Sequence, residues 1–73
     1  MYKLISVTPY TVIQSDSTEK NGWLVYGHIA PSHNNLLHRC ETRYHALDMA
    51  HKYTIPVILA GGEHVANIVK KLE

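Results

Sequence analysis

Over residues 2–13 the chain is rich in Tyr, Ile, Val and Thr and holds one charge. β-branched and aromatic side chains pack well on a pleated surface, so the segment predicts a strand. Pro9 has no N–H to give to a ladder, which predicts an edge position with a bend or bulge there. Residues 14–22 are polar, carry no apolar anchor and end in Asn21-Gly22. That is turn chemistry, and it predicts a loop that is the most mobile internal segment. Residues 23–29 read as a second strand, with Trp23, Val25, Gly27 and Ile29 on one face and Leu24, Tyr26 and His28 on the other. Large groups on both sides predict that both faces are covered.

Residues 31–35 have turn composition, and residues 36–40 read as the short partner strand of a hairpin. A helix from Ser32 competes, because Leu36, Cys40, Tyr44 and Leu47 also keep helical spacing. Thr42 suits an N-cap for a helix over residues 43–53, whose stripe is Ala46, Leu47, Ala50 and Tyr53. Residues 54–60 form an apolar run too short for a typical helix, which predicts a buried strand entered through Pro56 and stopped by Gly61-Gly62. Helical spacing resumes over residues 63–72 through Val65, Ile68, Val69 and Leu72, with Lys70 and Lys71 in the last turn. The expected fold is α+β: a small antiparallel sheet of three or four strands with two helices, in the order β-β-β-α-β-α.

A chain of 73 residues has material for one domain, residues 1–73, and for one core, to which Trp23, Leu47, Ile58 and Ile68 are assigned. A hydrophobic content of 45% against 18% charged residues places it among ordered globular chains and excludes a disordered tail. Cys40 is the one cysteine, so no internal disulfide is possible and a reducing, cytoplasmic setting is expected. No segment reads as a signal or a membrane span. A formal net charge of +1 is too small for phosphate-driven binding, so neither nucleic acid nor membrane is expected as a partner. Six histidines add positive charge as pH falls through about 6.5.

Four groups of residues invite a chemical reading. His33, His38 and Cys40, with His28 from the facing strand, offer zinc-ligand types, and a small zinc domain is the alternative class; no paired-cysteine or paired-histidine knuckle sets a tetrahedral geometry. Gly61-Gly62 between a strand and a helix could present free N–H groups to an anion, but two glycines without a lysine serve equally as a tight turn. Cys40 with a histidine base has the ingredients of a nucleophile, yet nothing in the spacing positions them, and a lone strand cysteine reads as a small core residue. No catalytic residue, metal or cofactor is assigned. Tyr26, His28, Arg39, Arg43 and Lys52 are instead read as an exposed partner-binding surface, since Tyr and Arg bring large contact area and directed donors to binding hot spots.

The strand Gly22-Trp23-Leu24-Val25-Tyr26, the helix beginning at Thr42 and the length of 73 residues together resemble the small takeover proteins of bacteriophages. Within that group the chain is similar to the RNA-polymerase-binding transcription regulators of the Xanthomonas phage type. The resemblance implies a protein without an active site that binds bacterial RNA polymerase through its largest subunit, blocks promoter initiation and suppresses termination. It implies no particular contact residue.

Overall fold

A computed structural model describes residues 2–59 and 62–72 of the chain. The elements run β1 (Leu4–Ile13), β2 (Glu19–Ala30), β3 (His33–Cys40), α1 (Arg43–His51), β4 (Val57–Leu59) and α2 (Gly62–Lys71). The α+β class and the β-β-β-α-β-α order are those expected. The strands form one sheet in the order β3-β2-β1-β4. β1, β2 and β3 make an antiparallel meander, but β4 lies parallel to β1 through Ile5↔Val57, Ser6↔Ile58 and Val7↔Leu59. The sheet is therefore mixed rather than wholly antiparallel. α1 carries the chain back across the sheet, so the next strand enters in the same direction as β1.

Strand alternation explains the layers. Leu4 and Ile5 are neighbours in β1 and point to opposite faces, and they belong to different apolar clusters. Ile5, Val7, Val25 and Cys40 pack with Ala46 and Ala50 of α1, while Leu4 packs with Val65 and Val69 of α2. The helices thus cover opposite faces, and the expected single core is two. Trp23 and Leu47 belong to the α1 side, Ile58 and Ile68 to the α2 side.

The first hairpin is longer than the polar run suggested. Its turn is confined to residues 14–18, where the Gln14 N–H donates to Thr18 O (2.8 Å) and the Ser17 N–H to Gln14 O (2.9 Å). Ser17 takes a left-handed φ of 68°, and Asp16 Oδ1 accepts from the Thr18 N–H (3.1 Å) and hydroxyl (2.6 Å). Those bonds hold the Asp16 carboxyl below its ordinary pKa. Asn21 and Gly22 are strand residues opposite Thr11 and Tyr10. A Cβ on Gly22 would come within 2.5 Å of the Tyr10 ring, so glycine there makes room for an aromatic neighbour and not for a turn.

Pro9 sits opposite Trp23, past the last β1 residue paired with β4. β1 is thus an inner strand at its start and an edge from Pro9 onward, where a missing N–H breaks no ladder. Beyond that point β1 and β2 continue as a two-stranded arm, with Val12 47% and Ile13 72% exposed, and the molecule measures 44 × 23 × 16 Å along its principal axes. The second turn and β3 follow the hairpin reading, not the helical one, with register shifts between Val25 and Tyr26 and between His28 and Ala30.

Thr42 caps α1 as expected, its Oγ1 accepting from the His45 N–H at 3.1 Å. The helix ends at His51, and just past it Thr54 has a φ of 55°, a position that ordinarily selects glycine. β4 is shorter than expected and half-buried, with Leu59 53% exposed. Ala60 and Gly61 of the expected strand and glycine turn lie outside the described residues. Among the described residues no helix is long and apolar enough to cross a membrane.

Candidate functional site

α2 packs on the face that carries Leu4 and Ile58 and also meets β2. A cleft of about 320 Å³ lies between the helix and the sheet. Ser6 and Thr8 come from β1, Tyr26 and His28 from β2, Asn34 from β3 and Pro31 from the turn between those two strands. Val65 and Ala66 of α2 close the helical side. None of these side chains is a carboxylate, lysine or arginine.

The hairpin register builds the polar part of this wall. Ser6 pairs with Tyr26, and from there its hydroxyl reaches diagonally along β2 to His28, with Ser6 Oγ and His28 Nε2 2.7 Å apart. Both residues are buried, Ser6 at 2% and His28 at 5% exposure. Burial lowers the His28 pKa below 6.5, so the ring is neutral at physiological pH. One tautomer makes Ser6 the donor, the other the acceptor. The second ring nitrogen, Nδ1, is buried and has no hydrogen-bond partner among the described residues. A hydroxyl and an imidazole in hydrogen-bond contact supply two parts of a nucleophile relay, but among the described residues no third group orients the ring.

The five residues read as a binding surface fall into three places. Tyr26 is half-buried beside the cleft, its ring centroid 6.4 Å from that of His28. His28 is buried, not exposed: Leu4↔His28 pairing places it deep in the sheet, under α2. Arg39 and Arg43 are exposed on either side of the Glu41-Thr42 turn, at the junction of β3 and α1. A depression of about 350 Å³ at this junction is lined by Arg39, Cys40, Glu41, Thr42 and His45. Lys52 is exposed at the far end of α1, about 13 Å along the helix axis from Arg43.

The zinc-ligand set read from the sequence is not brought together among the described residues. His28 pairs opposite Asn34 on the cleft face, whereas Cys40 packs in the α1 core, so they cannot share an ion. His38 is engaged elsewhere, its Nε2 3.3 Å from the Tyr53 hydroxyl. Among the described residues no group of three His, Cys, Asp or Glu side chains could hold a metal. Cys40 is 6% exposed, and burial raises its thiol pKa, which makes it a poor nucleophile at neutral pH.

Sequence reasoning missed Ser6, Thr8 and Asn34. A single signal was present: Ser6 is a small polar residue inside the apolar run Leu4-Ile5-Ser6-Val7, where a buried hydroxyl demands a partner. Comparison of the chain with protein-family models, curated proteins and solved structures gave no match.

Proposed function

We propose that this chain is a non-enzymatic protein-binding regulator, acting in the cytoplasm on bacterial RNA polymerase through its largest subunit to inhibit initiation and suppress termination. The observation that carries the reading is the β3–α1 corner, where Arg39 and Arg43 stand exposed on a strand end and a helix start. Both side chains spring from regular elements joined by a capped turn, so little backbone entropy is lost when they engage a partner. Guanidinium groups make bidentate bonds to carboxylates, which suits an acidic patch on a protein. A net charge of +1 favours such local recognition over tracking a phosphate backbone.

The test is a titration of the chain against purified bacterial RNA polymerase and against duplex DNA in one buffer at physiological salt. The expected result is saturable binding to polymerase, weak binding to DNA, and a loss of roughly tenfold or more in polymerase affinity when Arg39→Ala and Arg43→Ala are combined. The double variant should melt as the parent does. Tight DNA binding without polymerase binding would overturn the reading.

A further inference from the structure

The cleft between α2 and the sheet plays no part in the proposed polymerase contact, and its chemistry is of a different kind. We infer that it is a binding site for an uncharged nucleoside-sized ring compound. The volume of about 320 Å³ is that of a small-ligand pocket. Its lining pairs flat or apolar surface, from Tyr26, Pro31 and Val65, with hydrogen-bonding groups on Ser6, Thr8 and Asn34. An aromatic side chain on a sheet is a stacking platform for a planar heterocycle, and an asparagine amide offers a donor and an acceptor side by side, which matches the edge of a nucleobase.

Charge decides against the alternatives. A nucleotide or sugar phosphate needs a cation or a cradle of N–H groups, and among the described residues no lysine or arginine lines the cleft. A cationic ligand needs a carboxylate, and none of the described lining residues is one. The independent observation is His28, which lines the same cleft, is 5% exposed, and keeps a buried Nδ1 with no partner among the described residues. Leaving such an atom unpaired carries a desolvation penalty that buried polar groups ordinarily avoid through a partner. The Ser6–His28 hydrogen bond, 2.7 Å long, gives that wall polarity without a formal charge, which fits an uncharged ring.

The experiment is a titration of the uniformly ¹⁵N-labelled chain with adenosine, cytidine, guanosine and uridine separately, with D-ribose as control, followed through amide shifts and the His28 ring nitrogens. At least one nucleoside should give saturable shifts centred on Ser6, Thr8, Tyr26 and Asn34 and move the His28 Nδ1 resonance, while ribose gives none. Asn34→Ala removes an exposed amide and should weaken that binding roughly five- to tenfold with an unchanged melt. Tyr26→Ala is the second variant, expected to weaken it through the lost stacking surface. The inference is overturned if no nucleoside shifts these amides, if ribose shifts them equally, if the shifts centre on Arg39 and Arg43, or if both folded variants bind like the parent.

Discussion

Leu4→Ala separates the two apolar clusters. Leu4 is 1% exposed and meets Val65 and Val69 of α2, with Ile58 and Ile68 packed around them. The substitution removes three carbons, worth about 2.4 kcal/mol at about 0.8 kcal/mol each. A residual cavity adds to that, giving about 3 to 4 kcal/mol, within the span measured for buried leucines. A domain of 73 residues has a total stability of about 4 to 11 kcal/mol, so the substitution removes roughly a third or more of it. Because Leu4 contributes to the α2 side while Ile5 serves the α1 side, the loss should be uneven. Urea denaturation gives the total; amide hydrogen exchange gives its distribution, with α2 losing protection before α1 and the β2–β3 ladder. A destabilisation under about 1 kcal/mol, or equal loss of protection in both helices, would refute the two-cluster account.

Other outcomes can be measured on the same material. Burial holds the His28 imidazole below 6.5, so on acidification the unfolded chain takes up this proton before the native state does; the group leaves stability unchanged above about pH 6.5 and subtracts from it as pH falls below that value. Denaturant midpoints across that window should fall more steeply for the parent than for His28→Gln, and equal slopes would exclude His28 as the cause. Gly27→Ala places a Cβ within 2.6 Å of the Tyr2 ring, which is held edge-on to Tyr53 and whose hydroxyl accepts from Asn35 Nδ2 at 3.2 Å. Its thermal midpoint should drop by an amount equivalent to about 1 to 3 kcal/mol, and an unchanged midpoint would show that the ring moves aside freely. Thr54→Gly relieves a left-handed φ of 55° at the end of α1. It should stabilise the chain by about 1 kcal/mol in a urea melt, and an unchanged or lower midpoint would show that the Thr54 Oγ1 bond to Tyr53 O outweighs the backbone strain.

The elements that could be read from the sequence are those determined within a few residues. Thr42, Ala46 and Ala50 mark the cap and buried stripe of α1 by spacing alone, and Val65 and Val69 do the same for α2. What could not be read depends on pairing at a distance. Asn21-Gly22 carries the strongest turn signal in the first loop, but the Tyr10 ring over Gly22 and the bonds around Asp16 move the turn back to residues 14–18. That choice fixes which β1 residue faces which β2 residue, and hence brings Ser6 to His28. A hairpin slipped by one residue would send every side chain of β1 to the other face. Tyr26 and His28 share the cleft face as the alternation predicted, yet His28 is buried because α2, some forty positions later, packs over that end of the sheet.

The parallel register of β4 carries a consequence for how the molecule assembles. β1, β2 and β3 are joined by tight turns, so their ladders close short loops and can form early. β4 meets β1 across about fifty intervening residues, through three residue pairs and the Ile5 N–H bond to Pro56 O at 2.9 Å. Closing so long a loop for so few bonds is slow and entropically unfavourable until the surfaces on either side exist. Loop length therefore favours forming the meander with α1 first and docking the β4–α2 segment onto it afterwards. In that order the cleft, which needs α2 for one wall, is completed only when folding is finished, whereas the Arg39–Arg43 corner is in place before it.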